Sequence, residues 1–154
     1  MKGGYNPESL SGEDMCIAVV RTRWNEHITT RLAYGAIQTL QQADAKVDEF
    51  VVPGAVELTY AAQRLADSEN YDAIIVFGCV IQGDTPHFDY VCSSVTQGIT
   101  ALNTDGIVPV IFGVLTVHNE QQALDRCGGS AGHKGIEAAH TAMEMVRFSR
   151  SIDD

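Results

Sequence analysis

His87 follows a run of small and polar residues, Gly83-Asp84-Thr85-Pro86, between a strand-like stretch (72–77) and a helical pattern. Imidazole has a free pKa of ~6.5, so it can donate and accept protons near neutrality. Two readings fit His87. It moves protons in a reaction, oriented by Asp89 or Glu57, or it is a loop histidine held by hydrogen bonds. Gly83-Asp84-Thr85 ahead of a helix N-terminus offers amides and a hydroxyl to an anion, and is also an ordinary turn. Asp84 would serve through its N–H, because its carboxylate would repel a phosphate. An anion also needs a cation. Arg126 and Lys134 flank a glycine-rich loop (128–135), and a guanidinium can hold phosphate through two parallel bonds. The alternative for both is a solvated surface charge.

Trp24, the only tryptophan, falls just after a strand, where it could stack a flat heterocycle. Phe112 could supply a second aromatic wall. Ordinary packing is the competing account of each, and the stronger one for Phe112 inside its strand. Glu57 opens a helix, where the dipole stabilises a carboxylate, so capping explains it as simply as substrate binding does. His27, His118, His133 and His140 read as surface or helix residues. Cys16, Cys79, Cys92 and Cys127 contain no Cys-x-x-Cys and no metal-ligand spacing. They read as reduced, mostly buried thiols of a cytoplasmic protein.

The elements that must position these groups alternate. Short apolar runs predict strands over 15–20, 47–52, 72–77 and 108–116. Ile28, Leu32, Ala36 and Leu40 mark one face of a helix opened by Asn25 or Glu26. A second helix is expected over 55–66, and a third is marked by Val91, Val95, Ile99 and Leu102. A short helix (119–127) and a final one (136 to about 147) follow. Strands alternating with helices imply an α/β fold with a parallel sheet covered on both faces. Polar clusters then fall just past three strand ends, at 21–25, 53–57 and 78–87, which is where open parallel sheets hold ligands. Four strands leave two edges for neighbours to cover.

The 154 residues suit one domain, with residues 1–13 as a flexible arm or an edge strand that orders against a partner. The apolar runs are strand-sized, which argues against a membrane span, and the first residues lack a basic-then-apolar leader. A net charge of −10 without a Lys/Arg cluster argues against nucleic acid.

Arg23-Trp24-Asn25, Val52-Pro53-Gly54-Ala55-Val56-Glu57 and the stretches 78–91, 109–116 and 126–144 together resemble the 6,7-dimethyl-8-ribityllumazine synthase family. The resemblance spans about residues 15–150. It implies a flavodoxin-like three-layer sandwich and a condensation that needs no cofactor. The substrates would be 5-amino-6-(D-ribitylamino)uracil and 3,4-dihydroxy-2-butanone 4-phosphate. By resemblance, the pyrimidine lies against Trp24, Ala55, Val56, Glu57, Cys79, Val80 and Ile81, with Phe112 completing the pocket. The phosphate lies on Asp84, Thr85 and Arg126, near Lys134, and His87 transfers protons. The resemblance also implies pentamers, decamers or sixty-subunit shells, in which Phe112 and Arg126 reach the site from the neighbour of the chain carrying His87. The uninterrupted loop at 128–135 favours the shell. Asp84 departs from the small residue of some relatives, Gly129-Ser130 from a more basic loop, and His133 from a common asparagine. The competing functions are a related five-subunit riboflavin synthase, a flavin or lumazine carrier without turnover, and a purely structural shell protein.

Overall fold

The computed structural model describes residues 10–153. In chain order these form β1 (Cys16–Thr22), α1 (Glu26–Gln42), β2 (Lys46–Val52), a 3-10 turn (Ala55–Glu57), α2 (Leu58–Asp67), β3 (Ala73–Ile81) and α3 (His87–Asp105). There follow β4 (Val110–Val117), α4 (Glu120–Asp125), a small hairpin of β5 (Cys127–Gly129) and β6 (Gly132–His133), and α5 (Lys134–Asp153). The four long strands make one parallel sheet in the order β2-β1-β3-β4, with the flavodoxin-like arrangement of helices on both faces.

Because side chains alternate across a strand, each strand feeds two cores. Ile17 and Val19 of β1, Ile75 and Phe77 of β3 and Leu115 of β4 pack under α1 and α5. Ala18 and Val20, Ile74 and Val76, and Val114 pack under α2 and α3. Strand β3 lies between β1 and β4, and every residue from Ala73 to Cys79 is buried, which explains its unbroken apolar run. The β2 edge is the opposite case: Lys46, Asp48, Glu49 and Val51 are exposed.

Several boundaries differ from expectation. Strand β3 continues through Gly78, Cys79, Val80 and Ile81, because β4 keeps pairing with it as far as Ile81↔Val117. Gly78 is therefore a close-packing position and not a turn: a β-carbon there would lie 3.2 Å from Leu58 and 3.5 Å from Thr22. Helix α3 starts at His87, four residues before the first apolar marker of its buried face. Helix α5 starts at Lys134 and runs to Asp153, absorbing the end of the expected loop. Of the expected arm, residues 1–9 lie outside the described residues. Leu10 already packs on the core under α1, and the N–H of buried Gly12 donates to the Ala43 carbonyl at 2.6 Å.

Candidate active site

At the carboxyl end of the sheet the β1–α1 and β2–α2 connections are tied together. The N–H of Arg23 donates to the Val52 carbonyl at 2.8 Å, and that of Trp24 to the Pro53 carbonyl at 3.0 Å. The indole of Trp24 covers Gly54, where a β-carbon would come within 3.0 Å of the ring. The ring is nevertheless 70% exposed, so core packing does not explain it. It is a flat apolar shelf open to a ligand.

Asn25 turns the chain into α1 in the left-handed region, with φ 58. Asparagine tolerates that region better than most residues. Its Nδ2 donates to the Cys79 carbonyl at 2.8 Å, beyond Arg21↔Phe77, where β1 stops pairing with β3. The Glu57 carboxylate accepts the Gly54 N–H at 3.1 Å, so its capping role is real. Ala55 is half-buried against the core under α2 and α3, and Val56 is exposed. Along β3, Val80 leans to the α2/α3 face and Ile81 to the α1/α5 face, each half-buried. The Cys79 thiol is buried, and burial, with Cys127 and Glu120 nearby, pushes its pKa up to about 11. It stays protonated at working pH and is no nucleophile.

Asp84 and Thr85 are exposed in the loop that leads to α3. The Thr85 hydroxyl accepts the His87 N–H at 3.4 Å. His87 is the first residue of α3, which packs against the 3-10 turn and α2. Its ring is exposed and meets neither Glu57 nor Asp89 in a hydrogen bond among the described residues, so the expected orienting carboxylate is missing within one chain.

Phe112, Arg126 and Lys134 do not join this group. Phe112 pairs with Val76, three residues before Cys79, which sets it back by about 10 Å at ~3.3 Å per residue. Arg126 ends α4, and the neighbouring Ala123, Leu124 and Cys127 pack into the core under α1 and α5. His87 leads a helix of the opposite layer. The Arg126 guanidinium is exposed and donates to the Gln122 carbonyl at 3.1 Å, and the Lys134 N–H donates to the Arg126 carbonyl at 2.7 Å. One chain thus brings together Trp24, Ala55, Val56, Glu57, Cys79, Val80, Ile81, Asp84, Thr85 and His87, and carries the cations on the other side of the sheet.

Contacts that sequence reasoning missed cluster at this end. His27 meets Glu120, clasping the start of α1 to the start of α4, and His118 meets Gln82. Grooves among the described residues also lie elsewhere. One of about 430 Å³ runs between α1 and β2, lined by Arg21, Arg31 and Tyr34. Another, about 550 Å³, lies between the start of β4 and the end of α5. Among the described residues no group of three or more His, Cys, Asp or Glu could hold a metal ion. The chemistry on offer is stacking, backbone recognition, anion binding and proton transfer.

A family model described as 6,7-dimethyl-8-ribityllumazine synthase matches residues 14–150. Three curated proteins of that name are similar to the chain. The one from Porphyromonas gingivalis is 51% identical over 150 residues, covering 95% of this chain and 93% of that protein. The one from Parabacteroides distasonis is 53% identical over 139 residues, covering 88% and 87%. The one from Bacteroides fragilis is 46% identical over 142 residues, covering 90% and 99%.

Proposed function

The chain belongs to the 6,7-dimethyl-8-ribityllumazine synthase family, and from that membership we propose the reaction and the part each residue plays in it. The chain is a transferase of riboflavin biosynthesis. It condenses 5-amino-6-(D-ribitylamino)uracil with 3,4-dihydroxy-2-butanone 4-phosphate to give 6,7-dimethyl-8-ribityllumazine, phosphate and water. The observation that carries the reading is the exposed Trp24 shelf beside the end of β3, with His87 at the head of the next helix.

The pyrimidine stacks on Trp24, with its polar edge toward the backbone at Ala55, Val56, Glu57, Cys79, Val80 and Ile81. The amide of Asp84 and the hydroxyl of Thr85 take part of the phosphate. The substrate amine attacks the ketone, and water leaves as the imine forms. Phosphate is then eliminated, and ring closure releases a second water. Each step moves a proton, which His87 carries. Both substrates are reactive already, so holding them together in the right orientation does much of the rest.

Phe112, Arg126 and Lys134 serve a neighbouring chain's site. The separation of Arg126 and His87 into opposite layers supports this arrangement, and it makes the isolated chain half a site. The chain acts as one domain, residues 1–154, in pentamers. Twelve pentamers close into a shell. Four free thiols suit a cytoplasmic enzyme.

Mixing the purified chain with both substrates and following lumazine absorbance and fluorescence tests the reaction. Product formed only when both are present is expected. Binding without turnover would make the chain a carrier, and turnover of lumazine alone would make it a riboflavin synthase.

A further inference from the structure

The imidazole of His133 sits where three elements meet. A β-carbon on Gly35 of α1 would lie 2.3 Å from the ring, and one on Gly135 of α5 would lie 2.9 Å from it. Gly35 makes room for the histidine, and Gly135 for both the ring and the Leu32 carbonyl of α1, which would lie 2.1 Å from its β-carbon. Nδ1 accepts the Ile136 N–H at 3.3 Å, three residues on, which is the bond an N-cap side chain makes. His133 also pairs with Cys127 across the hairpin. The next peptide runs from the Lys134 N–H to the Arg126 carbonyl. The ring is therefore fixed at the joint from which both cations project.

We propose that His133, as a neutral imidazole, is a positioning residue for the phosphate-binding cations: it caps α5 and holds Arg126 and Lys134 in register. This rests on the phosphate role given to those two residues above. The bond requires the proton on Nε2. A second proton on Nδ1 would face the Ile136 N–H as donor against donor, and the cap would be lost. Burial pushes the His133 pKa below its usual value, against the opposing pull of a hydrogen bond to its own backbone and, more weakly, of the Glu137 carboxylate on α5. The other ionisable groups at this joint are Arg31 of α1 and the Cys127 thiol it faces. Stability from the neutral ring is complete above the free imidazole pKa of ~6.5 and is lost as pH falls through the lowered value.

The test is steady-state kinetics of the assembled enzyme from pH 5.5 to 8 for wild type, H133N, H133A and R126A. Asparagine supplies a cap acceptor that does not titrate. At pH 7.5, H133N should keep the wild-type KM for the phosphate substrate. H133A should raise it about fivefold, the loss of one cap, with kcat little changed. As pH falls through the lowered His133 pKa, the wild-type KM should climb more steeply than that of H133N, which shares the substrate's own titration. Parallel pH profiles for wild type and H133N would overturn the proposal, and that comparison does not need H133A to fold. An unchanged KM in R126A would overturn the phosphate reading itself. A raised KM in R126A with wild-type behaviour in both His133 variants would overturn this inference alone.

Discussion

Asn25 joins two requirements that substitution can separate. Its backbone holds the left-handed turn into α1, and its side chain closes the gap between that turn and β3 through the Cys79 carbonyl. Asn25→Ala leaves a β-carbon in the left-handed region without the short polar side chain that makes that region tolerable, at about 1 kcal/mol. It also removes a half-buried hydrogen bond, worth about 1 kcal/mol. The sum is about 2 kcal/mol. Asn25→Gly restores backbone freedom and should cost about half as much, the missing bond alone. Asn25→Asp keeps an asparagine-like backbone but sets a carboxylate against a carbonyl, so it should cost at least as much as glycine. Urea unfolding at one fixed protein concentration measures all three, since the stability of any assembled state depends on concentration. KM for the pyrimidine should rise in the same order, because Trp24 is the adjoining residue. Aspartate equal to wild type would remove the hydrogen bond from the account, and glycine no better than alanine would remove the left-handed turn.

His87→Ala should lower kcat by roughly 10²-fold, the small end of general acid–base effects, and leave measurable turnover. Arg126→Ala should instead raise KM for the phosphate substrate by roughly 10²-fold, as expected for a lost charge-assisted contact; an unchanged KM would remove Arg126 from the site. Cys79 should resist iodoacetamide at pH 7.5 while the half-buried Cys16 and Cys92 react faster, as peptide mass spectrometry of the folded protein would show. A thiol pKa raised to about 11 contributes stability below the unfolded value and loses it as pH rises. Cys79→Ala should therefore flatten the alkaline fall in stability above a pH of ~8.5, and an identical slope in wild type and variant would contradict the raised value.

The layers of the fold are legible in the sequence because burial imposes a period. Ile28, Leu32, Ala36 and Leu40 recur as the buried face of α1, and β3 is apolar throughout because it is covered on both sides. What escaped was structure without a period. A three-residue strand facing a two-residue one leaves no pattern at 127–133. Gly78 carries the residue type of a turn at a position that needs only a missing side chain. The start of α3 is hidden because its first turn, His87 to Tyr90, carries no residue of the helix's buried face. Trp24 and Glu57 stand out in the sequence because they follow strand ends. The clasp of His27 with Glu120 joins residues 93 apart in sequence, and no local spacing announces it.

The central claim is that two chains build each site, one giving His87 and its neighbour giving Arg126. Co-expression of His87→Ala with Arg126→Ala chains, purified as mixed assemblies, tests it most directly. With random placement around a closed ring, about a quarter of the sites receive an intact His87 from one chain and an intact Arg126 from the next. Lumazine formation at low phosphate-substrate concentration should then reach about a quarter of the wild-type rate, well above either variant alone. If both groups acted within one chain, no mixed assembly would hold a complete site. Activity equal to the average of the two separate variants would contradict the account.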